Sequence, residues 1–305
     1  MTKNKKMNVY VTGASGYIGS NVLANLMSAS QLNVIALARN SLQGKMTTCK
    51  FMRFELETCG LKVFESGSTV IHLAGVAHGK FKTIEDFEYI NAKCSAKLAT
   101  RAVECGVKRF VFLSSIGVHG NYSEGIIDES SPLQPTGAYA ESKVKAEAAL
   151  ADICQNSNME LVILRPTLVY GRGAPGNIAK LVGLFEKGIP VPFSKLNNRR
   201  NFCSVDKLTC LIRQLVLDKH NVFHSEKFVV ADTNSKSVYS FMLTVAQLHG
   251  LKLKSFGLPA AWIELLLKCL EKNEIISSLC RDLVVNTAKV DDYIEDGLIT
   301  QITKS

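Results

Sequence analysis

The 305-residue sequence lacks the features that would place it in a membrane or in a disulfide-rich secreted fold. No apolar run approaches the roughly 20 residues that a membrane-spanning helix needs, and the basic start MTKNKKMNVYV has no apolar signal-peptide core. The nine cysteines form no CxxC pair, and their odd number suits a reducing compartment better than a disulfide framework. We therefore expect a folded cytoplasmic protein without stable membrane insertion.

Metal and nucleic-acid signatures are also scarce. His220 and His224 have the i, i+4 spacing of zinc ligands, but no third candidate ligand accompanies them, so we expect no metal site. The net charge of +9 is spread along the chain without an RNA- or DNA-binding motif. We therefore expect phosphorylated small molecules, and not nucleic acid, as the partners of this charge.

The chain does contain an alternation of short apolar runs with longer helical patterns. Long helical patterns at 85–106 and 138–157 each precede such a run. Five runs rich in Val, Ile and Phe predict buried strands: NVYVT, NVIALA, TVIHLA, RFVFLSS and LVILRP. This rhythm predicts an α/β fold with a doubly wound parallel sheet and helices on both faces.

After about residue 171 helical patterns follow one another with few strands between them. They are NIAKLVGLFEKG, VDKLTCLIRQLVLDKH, SVYSFMLTVAQLHG and AAWIELLLKCLEKN. We predict a sheet domain at 1–170 and a smaller, mainly helical region at 171–305, from which some segments can return to the sheet. The last of these patterns has a broad apolar face but few basic residues, which favours a core or partner-facing helix over a membrane-surface helix.

The sequence VTGASGYIG joins the first predicted strand to the first predicted helix. Gly13, Gly16 and Gly19 lie three residues apart, and glycines at such a junction let the backbone turn sharply and approach a pyrophosphate. The helix N-terminus that follows favours negative charge. Because the triplet lies between a strand and a helix of a βαβ unit, it predicts a dinucleotide-binding site.

The residues after the second predicted strand bear on which dinucleotide is bound. An acidic residue about 20 positions after the last glycine suits NAD, whereas an arginine suits the additional phosphate of NADP. The chain has Arg39 and Asn40 there, and its first acidic residue is Glu55. NADP is therefore the expected cofactor and NAD the alternative, while a solvated surface arginine is the competing interpretation of Arg39.

GAYAESK places Tyr139 four positions before Lys143, so that both side chains project from one face of a predicted helix. Together with the GxxGxxG loop and SSIGVHG after the strand at 108–113, this YxxxK pair resembles the extended short-chain dehydrogenase/reductase family. DESSPLQPTGAYAESKVKAE is similar to the segment around the reactive tyrosine in NAD(P)-dependent nucleotide-sugar epimerases, dehydratases and reductases. The resemblance covers roughly residues 7–233 and implies a Rossmann-type sheet domain followed by a substrate-binding region.

In that family the tyrosine exchanges a proton with a sugar hydroxyl or ketone while a hydride moves to or from the nicotinamide. The resemblance gives this role to Tyr139, assisted by Lys143, with Ser115 on the reacting oxygen and Ser114 as the runner-up. A free phenol has a pKa near 10, and an ammonium about 4 Å away at a dielectric of about 20 contributes about 4 kcal/mol. We therefore expect Lys143 to lower the pKa of Tyr139.

The resemblance also implies further contacts to the dinucleotide. The main-chain amides of Tyr17 and Ile18 would meet the pyrophosphate, and Glu55 and Leu56 would flank the adenine. The other cofactor-binding positions that it implies are Leu73, Ala74, Gly75, Asn91, Ser114 and Pro166. Members of the family commonly form homodimers through the helices predicted at 85–106 and 138–157, which predicts a homodimer here.

Three segments resemble the nucleotide-diphosphate site of sugar-modifying members: PGN at 175–177, VPF at 191–193 and RRNF at 199–202. They imply that Asn177 contacts a phosphate or ribose and that Phe193 lies against uracil. The planar guanidinium of Arg200 would pair with the diphosphate. A plain basic surface loop is the competing interpretation of NNRR at 197–200.

The choice between reactions depends on a few positions. A 4,6-dehydratase needs an Asp-Glu pair directly after the active-site hydroxyl, and Ile116 and Gly117 stand there. Leu168 stands where many 4-epimerases carry an asparagine. The chain is most similar to bacterial UDP-4-keto-6-deoxy-N-acetylglucosamine 4-reductases of surface-polysaccharide synthesis, which implies a UDP-sugar 4-ketoreductase. A UDP-glucose 4-epimerase-like enzyme that retains NAD is the alternative, and a cofactor-sensing scaffold is disfavoured because Tyr139 and Lys143 are both present.

Overall fold

The computed structural model describes residues 6–40, 49–57, 63–77, 83–269, 271 and 273–302. A π-helical turn, Tyr89–Lys93, joins the helices Ile84–Glu88 and Cys94–Glu104, and a 3₁₀ turn, Ile116–His119, follows the strand Arg109–Leu113. The strands and helices are, in chain order, β1 (Met7–Thr12), α1 (Tyr17–Met27), β2 (Leu32–Ala38), β3 (Lys50–Arg53), β4 (Thr69–His72), α2 (Ile84–Glu88), α3 (Cys94–Glu104), β5 (Arg109–Leu113), β6 (Ile126–Ile127), α4 (Ala138–Gln155), β7 (Glu160–Pro166), β8 (Leu168–Tyr170), α5 (Asn177–Glu186), β9 (Phe202–Ser204), α6 (Val205–Leu217), β10 (Glu226–Val230), α7 (Val238–Leu248), α8 (Ala260–Cys269), α9 (Asn273–Cys280), β11 (Val284–Val285) and α10 (Ala288–Ile302).

A parallel sheet forms the centre of the molecule. In the described part of the chain it has seven strands in the order β10-β7-β5-β4-β1-β2-β3. Strands added outward in both directions from the β1 and β4 pair give the order of a doubly wound Rossmann fold. The predicted fold class is confirmed, and the five predicted strands are β1, β2, β4, β5 and β7.

The sheet is apolar on both faces because helices cover both. In β1, Val9 and Val11 point to the layer that contains α1 and α6, whereas Tyr10 points to the layer that contains α3 and α4. A strand buried on both faces needs a continuous apolar run instead of an alternating one. This requirement explains why five short runs of Val, Ile and Phe were sufficient to predict the central strands.

Two strands of the sheet were not predicted from the sequence. β3 lies at one edge with all four side chains exposed, and its sequence KFMR carries no burial pattern. β10 lies at the other edge and pairs with β7, although it belongs to the region predicted to be mainly helical. Segments after residue 170 thus return to the sheet, and α6 packs on α1 beside them.

The remaining C-terminal segments form an apolar cluster of their own. Residues of α5, α7 and α8 pack together there, and the rings of Phe202 and Phe241 stack with centroids 3.6 Å apart. The predicted boundary at residue 170 stays a prediction. In the structure the segments that pack apart from the sheet are those around this cluster.

The described residues contain no membrane-spanning helix, no cluster of metal-ligating side chains and no disulfide. No helix there is both long and apolar enough to cross a bilayer. Within the same residues, no group of three side chains of the metal-ligating types converges. The eight cysteines described are all unpaired, and Cys59 lies outside the described residues.

One buried arginine links β5 to the segment after α6. Arg109 is 2% exposed, and its Nε donates a hydrogen bond to Glu160 Oε2 at 2.6 Å. Its Nη1 donates to the carbonyls of Leu215 and Asp218, and its Nη2 donates to the carbonyl of Asn221. Four of the five N–H donors of the guanidinium thus have an acceptor in the protein interior.

We predict that Arg109→Ala lowers the free energy of unfolding by about 3–5 kcal/mol, because it leaves Glu160 charged and unpaired in the interior. Urea denaturation followed by circular dichroism measures this loss. Arg101→Ala is the matched control, since Arg101 pairs with Glu104 on the surface and such pairs are worth about 1 kcal/mol or less. Equal losses in the two variants would contradict the prediction.

Candidate active site

The glycine loop between β1 and α1 packs against the loop that follows β4. Gly13 has a φ of 67°, and a Cβ placed there would lie 2.7 Å from the amide nitrogen of Ala74. A Cβ on Gly19 would overlap the carbonyl oxygen of Gly13. Gly16 is the exposed N-cap of α1, and Tyr17 and Ile18 form the first turn. A cradle that only glycine can form, at a helix N-terminus, fits the pyrophosphate of a dinucleotide.

The loop after β4, with Leu73, Ala74 and Gly75, forms the neighbouring wall of the site. Asn91, fully buried in the π-helical turn, holds this loop from behind. Its Oδ1 accepts from the amide of Val76 at 2.9 Å, and its Nδ2 donates to the carbonyl of Val76 at 2.9 Å and to Ser142 Oγ at 3.0 Å. The Asn91 amide is therefore committed to the loop and to α4, and it shapes the predicted cofactor wall from within the protein.

Sequence reasoning missed a buried hydrogen-bond chain beneath this wall. The amide of Ala74 donates to Thr12 Oγ1, which donates to His72 Nδ1 at 2.7 Å. His72 Nε2 donates to Ser95 Oγ at 2.8 Å, because Ser95 itself donates to the carbonyl of Asn91. Burial, with the nearby charge of Lys143, lowers the pKa of His72 to about 3. The neutral imidazole thus ties β1, β4 and α3 together, and no local sequence signal indicates it.

The structure brings Tyr139 and Ser115 together. Tyr139 lies in the first turn of α4, and the Ser115 side chain interacts with its hydroxyl so as to lower its pKa, against the effect of burial. Ser115 caps the 3₁₀ turn, where its Oγ accepts from the amide of Gly117 at 3.1 Å. The ring of Phe87 lies edge-on to the Tyr139 ring with centroids 6.4 Å apart. These contacts fix the phenol beside the serine at the carboxyl edge of the sheet.

Lys143 lies one helical turn further along α4 and is 5% exposed. Its Nζ donates to the carbonyl of Leu113 at 2.8 Å and lies 4.6 Å from the centroid of the Phe112 ring. A Cβ on Gly75 would lie 3.5 Å from this Nζ, so the lysine reaches the loop after β4. Burial lowers the pKa of Lys143 to about 8, and the negative charge of Glu147 opposes that shift.

The pKa of Tyr139 shifts in the direction opposite to the one expected from its spacing to Lys143. Burial raises it above the usual value of 10, and the hydrogen bond with Ser115 opposes the rise. The Lys143 ammonium is directed at the Leu113 carbonyl and the Phe112 ring, so in this geometry desolvation of the phenolate outweighs its attraction to the lysine. Tyr139 therefore keeps its proton at neutral pH.

Ser114 and Ser115 have different surroundings, although they are adjacent in sequence. Ser114 is 3% exposed and donates to Glu147 Oε1 at 2.5 Å. Glu147 also accepts two hydrogen bonds from Arg165, which is 1% exposed and contacts His119 Nε2 at 2.9 Å. Ser114 thus belongs to a buried polar network below α4, whereas Ser115 faces Tyr139.

The predicted adenine side of the site lies at the end of β2. Arg39 and Asn40 follow this strand and are exposed to solvent. Glu55 is also exposed and forms an ion pair with Arg53 at 3.5 Å, whereas the Leu56 side chain is buried. Pro166 ends β7, on the opposite side of the β1 and β4 pair, and is buried. Arg39 thus has the position and the exposure that a phosphate on the adenosine ribose would need.

The three predicted substrate residues are placed differently from one another. Asn177 is the exposed first residue of α5, and Phe193 is half-buried against the C-terminal cluster. Arg200 is 7% exposed, and its Nη1 and Nη2 donate to main-chain carbonyls of Ser277, Arg281 and Asn121. These carbonyls occupy the guanidinium, and burial lowers its pKa to about 10, so pairing of Arg200 with a diphosphate stays a prediction.

Sequence comparison extends over most of the chain. A UDP-glucose 4-epimerase of Vibrio cholerae is 28% identical over an alignment 311 positions long, gaps included, that covers 96% of this chain and 92% of that protein. A dTDP-D-glucose 4,6-dehydratase of Mus musculus is 29% identical over an alignment 217 positions long, gaps included, that covers 64% of this chain and 57% of that protein.

Structural comparison shows the same fold in a solved enzyme. The UDP-glucuronic acid 4-epimerase of Bacillus cereus, solved with UDP-glucuronic acid and NAD, matches with a TM-score of 0.75 and 18% sequence identity. The match covers 95% of this chain and 93% of the other.

The family model described as the NAD dependent epimerase/dehydratase family matches residues 9–231. This match contains the glycine loop, both serines, Tyr139 and Lys143. It confirms the predicted resemblance to extended short-chain dehydrogenases/reductases and the prediction that the chain is an enzyme. The chain belongs to the NAD-dependent epimerase/dehydratase family.

Proposed function

We propose that the protein is an NAD(P)-dependent 4-ketoreductase that converts a 4-keto group of a UDP-linked sugar to a hydroxyl. The observation that carries this proposal is the contact between Ser115 and a Tyr139 phenol that holds its proton, beside the buried Lys143. Carbonyl reduction needs a proton donor at the oxygen, and a phenol that keeps its proton at neutral pH is able to serve as one. The glycine cradle and the exposed Arg39 supply a fitting site for the dinucleotide.

Ser115, Tyr139 and Lys143 each have a separate role in the proposed reduction. A bound nicotinamide dinucleotide supplies the hydride that the sugar carbon accepts. Ser115 Oγ holds the carbonyl oxygen in place, and Tyr139 Oη gives it a proton as the carbon becomes a hydroxyl-bearing centre. The Lys143 ammonium then stabilises the phenolate that Tyr139 has become, until a proton from solvent restores the phenol.

The dinucleotide would be held by groups from four loops. The main-chain amides of Tyr17 and Ile18 would bind its pyrophosphate, and Arg39 would bind the additional phosphate of NADP. Leu73, Ala74 and Gly75 would line the reactive half, opposite Pro166. NAD is the alternative, and the NAD seen in the solved Bacillus cereus epimerase supports it.

A UDP-sugar 4-epimerase is the second candidate. It is favoured by the Vibrio cholerae UDP-glucose 4-epimerase, whose similarity extends over 96% of this chain. Such an enzyme uses Tyr139 twice, first as the base that takes a hydroxyl proton and then as the acid that returns it. Leu168 weighs against it, because this 46% exposed side chain offers no hydrogen bond to a sugar turning in the site.

The substrate side of the proposal rests on Asn177 and Phe193. Asn177 would hydrogen-bond a phosphate or ribose at the N-terminus of α5, and Phe193 would lie against the uracil. Arg200 could pair with the diphosphate only by exchanging its three carbonyl partners for phosphate oxygens. The homodimer and the cytoplasmic location remain predictions.

We expect the purified protein to oxidise NADPH faster than NADH when it receives a UDP-4-keto-6-deoxy-N-acetylhexosamine. Absorbance at the wavelength of the reduced nicotinamide measures the reaction, and product is identified by mass spectrometry. Tyr139→Phe should lose about 10²–10⁴-fold in turnover, because it removes the proton donor. If the protein oxidises no cofactor but interconverts UDP-hexoses without added cofactor, the proposed activity is that of an epimerase and not of a reductase.

The two serines should respond differently to substitution. Ser115→Ala is expected to lower turnover by about tenfold or more, because it removes a hydrogen bond to the reacting oxygen, while loss of its cap on the 3₁₀ turn costs about 1 kcal/mol or less of stability. Ser114→Ala should lower the free energy of unfolding by about 1–3 kcal/mol, because Glu147 loses a buried donor. Paired measurements of turnover and thermal unfolding separate these effects. The reverse pattern would transfer the catalytic role to Ser114.

Reduction should weaken in alkaline solution. Lys143 is charged below its lowered pKa of about 8, so the cation that stabilises the Tyr139 phenolate is lost as the pH rises through 8. The turnover number measured from pH 6 to 10 should therefore fall on an alkaline limb near pH 8. Turnover that stays constant up to pH 10 would show that the Lys143 charge does not act in the rate-limiting step.

A further inference from the structure

The helix α8 has apolar side chains both on its core-facing side and on its solvent-exposed side. Ile263 is 2% exposed and packs with Leu267 into the C-terminal cluster. On the other face Trp262, Leu265 and Leu266 are 66%, 58% and 50% exposed. Their i, i+3, i+4 spacing places them in one stripe of the helix. The helix therefore keeps an apolar stripe in solvent after its core-facing side has been buried.

The segment that precedes α8 continues this surface. Its residues alternate, so that Leu251 and Leu253 pack against the C-terminal cluster while Lys252 and Lys254 are exposed. Phe256 continues the outward series and is 48% exposed, and its amide donates to the carbonyl of Val191 at 3.0 Å. An exposed aromatic ring thus follows two exposed lysines just before the α8 stripe begins.

The charge around the stripe is positive. Of the described residues at 251–271, Lys252, Lys254 and Lys268 are basic and Glu264 and Glu271 are acidic. Lys195 adds its charge from the neighbouring segment, because its side-chain stem lies against Gly257. The lysines that the α8 sequence lacks are therefore supplied by the segments packed beside it.

We propose that this surface, formed by residues 252–256 and the exposed stripe of α8, binds the anionic surface of a lipid bilayer. Exposed aromatic and leucine side chains insert at the boundary of headgroups and acyl chains, and tryptophan prefers that boundary. Lysines beside the inserted stripe are attracted to anionic headgroups. Because no described helix is able to span a bilayer, the contact is peripheral and reversible.

A membrane fits these groups better than a second protein does. A protein partner would have to bury the lysines against matching carboxylates, whereas a bilayer accepts the apolar stripe and leaves the ammonium groups among phosphates and water. The proposal is independent of the reaction that the active site performs, since it uses none of the residues assigned to the cofactor, the substrate or the proton transfer.

Trp262 is the single tryptophan of the chain, so its fluorescence reports directly on this surface. We expect vesicles of equal parts phosphatidylglycerol and phosphatidylcholine to shift its emission to shorter wavelength. Brominated acyl chains in the same vesicles should quench it. Phosphatidylcholine vesicles should bind more weakly, and added salt should weaken binding to the anionic vesicles.

A matched pair of variants distinguishes binding through this surface from nonspecific binding to vesicles. Leu265→Asp should lower the vesicle partition coefficient by about tenfold or more, because a leucine that inserts into the bilayer is replaced by a charged side chain. Val222→Asp is the control, since Val222 is 63% exposed and lies outside this surface. Circular dichroism melts of both variants verify that they are folded.

Three outcomes would overturn the proposal. They are an unchanged Trp262 emission with anionic vesicles, equal partition of Leu265→Asp and the unsubstituted protein, and equal losses in the two variants. Sedimentation velocity without lipid tests whether a second copy of the chain occupies this surface instead. A dimer that dissociates in Leu265→Asp, with no vesicle binding, would assign the surface to a second copy of the chain.

Discussion

The burial of the Lys143 ammonium at the carboxyl edge of the sheet is the constraint to which the active site is fitted. A charge that is 5% exposed must have partners, and the Leu113 carbonyl, the Phe112 ring and the field of Glu147 provide them. These partners offset part of the cost of burial, and the remainder appears as a pKa lowered to about 8. The lysine is thus charged near neutrality but close to the pH at which it loses its proton.

Two buried polar networks hold the loops that surround this lysine. His72 connects Thr12 to Ser95 below the glycine cradle, and its neutral imidazole uses both ring nitrogens. On the other side Glu147 is bound by Ser114 and Arg165. A buried donor or acceptor that lost its partner in either network would be destabilised by its full desolvation free energy. The networks therefore favour one arrangement of the loops. The site is rigid where the cofactor and the reacting oxygen are proposed to lie.

Much of this fold could be predicted from the sequence because its signals are local. Strands buried on both faces need continuous apolar runs, the Gly13 turn needs a residue that tolerates a φ of 67°, and helical spacing places Tyr139 and Lys143 on one face. The strand β10 was missed because its edge position lies far along the chain from its partner β7. The His72 chain was missed because its members are brought together only by the tertiary fold.

The residues predicted least well are long charged side chains. Arg200 has the fork that suits a diphosphate, yet carbonyls from Asn121 and from the end of α9 lie closer and occupy it. Sequence spacing likewise gives the face on which Lys143 projects but not the partner that its ammonium selects. The partners of both side chains lie beyond local sequence signals, since a flexible cationic side chain is directed by acceptors distant in sequence.

The protonation state of Tyr139 is the central claim, because it decides whether the site begins as a proton donor. Its titration can be followed directly by NMR of protein labelled with ¹³C at the tyrosine Cζ, with Tyr139→Phe to assign the signal. The account predicts a pKa above the usual value of 10, set by burial and only partly opposed by Ser115. A Tyr139 signal that titrates near pH 7 would contradict it and would restore the lysine-stabilised phenolate expected from sequence spacing.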